Sequence, residues 1–460
     1  MAVIGATERP GSWGSFIMLG LKSLDYNGDI FPVNTSASEI YGLPAYKDIR
    51  EISGPVDLAV LAIPEEYVET AIEACGQKGV KGITIITAGY GEESEEGRER
   101  QRHLARLAAL NDLRVLGPNV SGTFNLHAGF NASSTPGHDL LATPVAAVCQ
   151  GGYAFYDMLS VGGEQGYGVG WFIHTGNEAD LTITDFLEHF GRKDEVKAVV
   201  MYIETVRDGQ HFLDAARAAA AKKPVLVYKA GRTAGSARAA RSHTGALAGN
   251  KDIYQGLFRQ TGLVMCPTME LLLPAAHALI ERPAMRGRRV GIITVGGSWG
   301  VSLTDALEET GLLVPEFSPG LQETLREKGL PERASVRNPV DFGASGLFLS
   351  QDTPGLLARE ILASGEVDAL VAHGLGRPGL HDRNTPDEWK LFLEIEKNQV
   401  RSLAALEKEF DLPVLIGSYY HPWQSQAVSD LNKEGYRIYN RLVETAQILL
   451  MMSEYWSRRR

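Results

Sequence analysis

Ala2-Val3-Ile4-Gly5-Ala6-Thr7-Glu8-Arg9-Pro10-Gly11-Ser12-Trp13-Gly14 opens the chain with a short apolar run, a glycine-rich loop and the start of a helical stretch. Strand, glycine and helix in that order is the grammar of a parallel sheet covered on both faces, whose ligands meet the carboxyl ends of the strands. The pattern repeats downstream. Residues 28–33, 58–63, 82–87 and 113–116 are near-continuously apolar and are separated by helical stretches, so the first 125 residues predict one Rossmann-like α/β domain.

A second α/β unit is expected from near Pro144, with strands at 145–148, 169–173, 198–203 and 224–228, closing near Leu279. The arginine-rich stretch 281–289, with Pro283 and Gly287, reads as a linker. A third unit opens with 290–295 and includes strands at 369–373 and 413–416. The second and third units each begin with an apolar strand followed at once by glycines, at 146–152 and 291–300. They are therefore expected to be related, doubly wound domains. The expected domains are 1–125, 126–280 and 290–460, with 281–289 between the last two.

The 460 residues carry a net charge of -11, and the sequence pI is near 5.6. That balance argues against a general nucleic-acid role, because phosphate backbones attract basic surfaces. Apolar runs such as 58–64 are strand-length, so neither an export signal nor a membrane span is expected. The C-terminal Arg458, Arg459 and Arg460, after the apolar stretch 446–452, are expected to be a solvated end. Cys75, Cys149 and Cys266 lack metal-site spacing and are expected as reduced thiols in the cytoplasm. Because the chain opens directly on its first strand, a short segment is expected to precede it in the native protein.

The first glycine loop, through Gly5, Ala6, Thr7, Pro10, Ser12 and Gly14, allows close backbone approach and puts a helix N-terminus beside a phosphate. Its spacing is not the dinucleotide fingerprint, and no Walker lysine follows. Val33-Asn34, Ile63-Pro64, Ala88-Gly89 and Asn119 fall at further strand ends. Together they would line a groove for a long, thin cofactor.

The second unit carries the residues with reactive chemistry. His243 lies in Ser242-His243-Thr244-Gly245-Ala246-Leu247-Ala248-Gly249, after a loop of small residues. A neutral imidazole in such a setting can reach outward as a nucleophile when a carboxylate orients its other nitrogen. Glu204, closing the strand at 199–203, is the candidate carboxylate. Gln150, Gly151 and Gly152 follow a strand and precede a helix, the arrangement of a second anion site.

These motifs resemble those of the NDP-forming acyl-CoA synthetases, relatives of succinyl-CoA synthetase, across nearly the whole chain. The family's Val-Ile-Gly-Ala-Ser-like loop is matched by Val3 to Thr7, its Gly-Pro-Asn turn by Gly117 to Asn119, and its phosphohistidine motif in full by Ser242 to Gly249. Its Tyr-hydrophobic-Glu element is matched by Tyr202-Ile203-Glu204 and its Gly-Asn-x-x-Asp element by Gly176 to Asp180. Asn338-Pro339-Val340-Asp341 fits the succinyl-CoA-ligase-like third unit. The resemblance implies a CoA-binding Rossmann-like domain followed by two flavodoxin-like ligase domains. It further implies an acid-thiol ligase that binds coenzyme A and passes a phosphoryl group through His243, supported by Glu204. No ATP-grasp domain is present in the chain, so ATP or ADP and Mg2+ are expected on an ATP-grasp beta subunit, in an alpha2beta2 heterotetramer.

Two positions depart from the family pattern. Cys149-Gln150-Gly151-Gly152 stands where Ser-Gln-Ser-Gly is usual, and Val120 replaces the cysteine usual after Gly-Pro-Asn. Losing each phosphate-binding hydroxyl costs about 0.5–1.5 kcal/mol of hydrogen bonding. That loss motivates an alternative, a CoA- or acyl-CoA-binding regulatory protein without turnover. A third reading, a CoA-transferring enzyme with a covalent intermediate, predicts activity without partner or nucleotide.

Overall fold

The computed structural model describes residues 1–135, 140–233, 235–236, 251–342, 353–375, 386–387 and 390–459. The chain divides into two compact units, the first comprising 1–163 and 168–276 and the second 164–167 and 277–460.

The first sheet is parallel and built from β1 (Ala2–Ile4), β2 (Phe31–Val33), β5 (Leu58–Leu61), β6 (Gly82–Ile85) and β7 (Arg114–Leu116), in the order β2-β1-β5-β6-β7. A two-stranded hairpin, β3 (Glu39–Ile40) and β4 (Leu43–Pro44), follows β2. Helices α1 (Trp13–Lys22), α2 (Val68–Lys78) and α3 (Glu95–Leu110) connect and cover the strands. Val3 and Val60 pack with Ile17, Met18 and Leu21 on one face, and Ala59 and Leu61 pack with Ile72 and Leu104 on the other. Burial on both faces is why these strands are apolar without alternation.

The second sheet runs β14-β13-β12-β10-β11-β8-β9. Its parallel part comprises β10 (Val145–Cys149), β11 (Trp171–His174), β12 (Ala198–Ile203), β13 (Val225–Lys229) and β14 (Val264–Met265). Between them run α4 (Gly152–Glu164), α5 (Ile183–Arg192), α6 (Gly209–Lys222) and α7 (Lys251–Thr261). The hairpin β8 (Gly122–Asn125) and β9 (Phe130–Ser133) adds antiparallel strands at the β11 edge. Residues 122–125, expected in the first domain, thus hydrogen-bond into the second sheet.

The third sheet, β16-β15-β17-β18-β19, is also parallel, with β15 (Val290–Thr294), β16 (Val340–Asp341), β17 (Ala369–Leu375), β18 (Val414–Ser418) and β19 (Ile438–Tyr439). Helix α8 (Leu272–Glu281) leads into it, and α9 (Gly297–Glu309), α10 (Pro319–Glu327), α11 (Thr353–Ala363), α12 (Lys390–Phe410), α13 (Gln426–Lys433) and α14 (Leu442–Ser457) complete the unit. Counted within each domain, all three parallel sheets have the strand order 2-1-3-4-5, and each therefore has its topological switch beside the first strand.

The expected linker at 281–289 belongs to the second compact unit. Arg282 pairs with Glu407 at 2.6 Å while both side chains are largely buried, and Arg289 grips Asp368 through two nitrogens. Such pairing fixes the arginines as a closing seam of the domain. The apolar stretch 446–452 lies within α14, where Ala446, Ile448, Leu449 and Met452 are buried. Among the described residues no helix is long and apolar enough to cross a membrane, and Cys75, Cys149 and Cys266 are buried and form no disulfide.

Candidate functional site

Because the strands of the first sheet are parallel, the residues following β1, β2, β5, β6 and β7 gather along one edge. Backbone and side-chain bonds stitch that edge together. The amide of Gly5 donates to Val33 O (3.0 Å), Asn34 Nδ2 donates to Ala6 O (2.8 Å), Thr87 Oγ1 donates to Ile63 O (2.6 Å), and Asn119 N donates to Thr87 O (2.9 Å). Ala6, Gly14 and Val33 are buried and shape the edge from below, whereas Pro10, Pro64 and Ala88 are exposed on it. Thr7, Ser12, Asn34, Ile63 and Gly89 are half-buried. Ser12 caps α1, accepting from Ser15 N, and Thr7 Oγ1 accepts from Arg9 N.

The turn after β1 depends on two glycines meeting. A Cβ on Gly14 would stand 2.0 Å from the carbonyl oxygen of Gly5, and one on Gly5, itself at φ +90°, would stand 2.3 Å from Ala62 O. Backbone against backbone cannot yield as a side chain can, so only glycine lets α1 begin this close to the strand.

A second cluster joins the first two sheets. After β7 the chain passes through a cis Gly117–Pro118 peptide, and Pro118 O and Gly117 O accept from Asn177 N (3.0 Å) and Ala179 N (2.8 Å). Asn177 Nδ2 donates to Glu92, whose carboxylate also accepts from Gly89 N at 2.6 Å. Gln101 Nε2 and the Arg207 guanidinium both donate to the carbonyl of Asn177. Asp180 takes a bidentate pair from Arg114. The Gly-Asn-x-x-Asp element is thus a hub between the loop at 88–92 and the ends of the second sheet.

At the second sheet's carboxyl edge, Gln150 has a role its sequence context did not reveal. Its Oε1 accepts from Glu204 N (2.6 Å) and Thr205 N (2.9 Å), and its Nε2 donates to Thr205 O (2.9 Å). Its own amide donates to Tyr202 O (3.1 Å). Gln150 therefore clamps the 204–205 backbone, and Gly151 and Gly152 follow it at the N-terminus of α4.

Both glycines are packed against side chains. A Cβ on Gly151 would meet Tyr202 Cε1 at 2.9 Å and Glu204 Oε1 at 3.2 Å, and one on Gly152 would meet His174 Cε1 at 2.9 Å. The same geometry sets the Glu204 carboxylate directly beside the turn. Cys149 is fully buried, and burial pushes its thiol up to about 12.

His174, absent from the sequence-level candidates, supports the turn. Its Nδ1 accepts the backbone N–H of Ser121 (2.7 Å), which puts the proton on Nε2, donating to Gln150 O (3.0 Å). Burial lowers its pKa to about 4, so it is neutral at pH 7. Glu178, buried at φ +55°, accepts from Thr175 Oγ1 and Ile183 N, and desolvation raises its pKa.

Lys229 ends β13. Its ammonium donates to Glu204 O (2.7 Å) and to Ala230 O, and lies 4.6 Å from the centre of the Tyr254 ring. His243 and the rest of Ser242 to Gly249 lie outside the described residues. Among the described residues no three His, Cys, Asp or Glu side chains gather to hold a metal ion.

The arrangement offers one edge suited to an extended, phosphate-bearing ligand, a second turn open to an anion beside a carboxylate, and a hydrogen-bonded bridge between them. Comparison with known proteins agrees with it. Residues 1–124 match a family described as CoA binding domain, and 142–279 match one described as succinyl-CoA ligase like flavodoxin domain. The chain is 37% identical over 383 residues to the acetate–CoA ligase (ADP-forming) II subunit alpha of Pyrococcus furiosus, covering 81% of this chain and 80% of that one. It is 34% identical over 345 residues to the acetate–CoA ligase (ADP-forming) of Methanocaldococcus jannaschii, covering 74% of this chain and 48% of that one. The solved dinucleotide-forming acetyl-coenzyme A synthetase 1 of Ca. Korarchaeum cryptofilum, in complex with phosphate and ADP, superposes with a TM-score of 0.84 at 29% identity, covering 99% of this chain and 95% of that one.

Proposed function

The chain belongs to the ADP-forming acyl-CoA ligases, and on that premise we propose that it is the subunit that binds coenzyme A at the first sheet and carries the phosphoryl group on His243 at the second. The reaction divides into three steps. Phosphate attacks the acyl-CoA carbonyl and releases CoA, leaving an acyl phosphate. The His243 imidazole takes the phosphoryl group and releases the carboxylic acid. The phosphohistidine then passes the group to ADP, giving ATP and free imidazole. Run in reverse, the same steps activate an acid with ATP.

The observation that carries this reading is the position of the Glu204 carboxylate beside Gly151, where an added Cβ would come within 3.2 Å of its Oε1. It puts the proposed histidine-orienting group at the proposed anion turn. Gly151 and Gly152 would offer backbone amides and the positive end of α4 to the phosphoryl group. Gly5, Ala6, Thr7, Pro10, Ser12, Gly14, Val33, Asn34, Ile63, Pro64, Ala88, Gly89 and Asn119 would form the CoA edge.

We assign ATP or ADP, with the Mg2+ that neutralises its phosphates, to an ATP-grasp beta subunit in an alpha2beta2 assembly acting in the cytoplasm. Two lengths of relative support a partner. The chain covers 80% of a relative named as an alpha subunit but 48% of one named as the ligase without subunit designation.

Replacing His243 by alanine tests the assignment. Acid-dependent turnover of CoA and ATP is expected to vanish while CoA binding, measured by calorimetry, stays at the wild-type value. Unchanged turnover would overturn it. Glu204→Gln is expected to slow phosphorylation or shorten the lifetime of the phosphoprotein, and a wild-type lifetime with a wild-type rate would remove Glu204 from the site.

A further inference from the structure

Buried lysines are rare unless paired with a carboxylate, because desolvation penalises the ammonium. Lys229 is 3% exposed, and among the described residues it donates to two backbone carbonyls and lies over an aromatic face. The partners are placed informatively. Glu204 closes β12, Ala230 begins the segment that contains His243, and Tyr254 lies in the first turn of α7, just after that segment. Tyr254 also binds back to the same strand end, its hydroxyl accepting from Val206 N at 3.3 Å. One ammonium therefore links the backbone of the orienting carboxylate to both flanks of the histidine segment.

Resting on the phosphohistidine reading above, we propose that Lys229 is a positioning residue of the phosphoryl-transfer step, holding Glu204 in fixed relation to the two flanks of residues 231–250. Interactions with two carbonyls and a ring face all favour a cation, so the clamp is strongest when Lys229 is protonated. Burial lowers its pKa to about 8, against the attraction of Glu204 and with some help from Arg232. The ionisable groups around it are thus the Glu204 carboxylate, the Arg232 guanidinium and the Tyr254 phenol, whose own pKa is raised by burial. The charge is present below about pH 8 and lost above it, so the phosphorylation rate should fall on an alkaline limb near that value.

The test uses the chain with its nucleotide-binding partner and labelled ATP, and follows the rate of acid-labile label appearing in wild type, Lys229→Met and Lys229→Arg between pH 6.5 and 9.5. Lys229→Met is expected to lower the rate about 10- to 100-fold, the size of loss that follows small misplacement of reacting groups. The KM for CoA should be unchanged. Lys229→Arg should restore most of the rate at pH 7 and shift the alkaline limb upward, because guanidinium keeps its charge throughout this range. A wild-type rate and pH profile in Lys229→Met would overturn the proposal. So would an arginine variant whose profile keeps the wild-type alkaline limb, a result that also decides the matter if the methionine variant does not fold. No label in the wild type would instead overturn the phosphohistidine reading itself.

Discussion

The turns after β1 and β10 occupy the same place in two sheets of the same strand order, and both are built on glycine for different reasons. After β1, Gly14 meets the carbonyl of Gly5, main chain on main chain. After β10, Gly151 and Gly152 meet the side chains of Tyr202, Glu204 and His174. The first turn is a fixed cradle whose shape the backbone determines. The second is shaped by the side chains of Tyr202, Glu204 and His174, so its glycines are tied to the identity of those neighbours.

The difference is open to direct attack. Gly14→Ala forces a Cβ to within 2.0 Å of a carbonyl oxygen, and about 3 kcal/mol or more of stability should be lost together with CoA binding. Urea unfolding and CoA calorimetry measure both, and a variant with wild-type stability would break the backbone-on-backbone account.

His174 provides a test at the other turn. Its pKa falls from 6.5 to about 4 on folding, so between those values the unfolded chain binds the extra proton and the fold is disfavoured. The full contribution is present above about pH 6.5 and is lost as pH falls towards 4, amounting to about 3 kcal/mol. Unfolding free energy measured across that window in wild type and His174→Gln should differ in slope, and equal slopes would show that the imidazole is not held neutral.

The bridge between the turns is next in size. Asn177→Ala removes the side-chain bond to Glu92, a half-buried carboxylate that still accepts from Gly89 N and Tyr90 N, and should cost about 1.5 kcal/mol, the worth of one hydrogen bond to a charged group. A stability change near zero would show that the 88–92 loop is held without it. The smallest expected effect on stability belongs to Gly151→Ala, about 1 kcal/mol, because Tyr202 and Glu204 can shift aside. Its phosphorylation rate should nonetheless drop, measured by the same label assay. A large stability loss with a normal rate would make the second turn resemble the first.

The longer parallel strands of all three sheets were legible because burial on both faces makes them continuously apolar, as at 58–61 and 145–149. The β8–β9 hairpin was not. Its buried Thr123 donates to Phe172 O, Asn131 to Thr135 O and Ser133 to Asn131 Oδ1, so their polarity conceals an interior position. Two-residue strands such as β14, β16 and β19 are too short to leave a periodic signal.

The glycine loop, the Gly-Pro-Asn turn and Glu204 could be chosen from sequence because each stands at a strand end. Gln150 was chosen for an anion, yet its amide is spent on a backbone 54 residues away. Lys229 stood out only as a lysine closing an apolar strand, and its carbonyl and aromatic partners come from the fold. His174 gave no local signal, since both of its ring nitrogens are occupied by main-chain groups far away in sequence. Of the two positions whose lost hydroxyls suggested a regulator without turnover, Cys149 is fully buried and Gly151 lies against Tyr202 and Glu204.

The central claim is that a phosphoryl group resides on His243. Labelled ATP, the nucleotide-binding partner and this chain, wild type or His243→Ala, give the direct measurement: the account predicts acid-labile, base-stable 32P on the wild-type chain and none on the variant. Label retained by His243→Ala, or no label on the wild type with a partner shown to be active on a standard subunit, would contradict it.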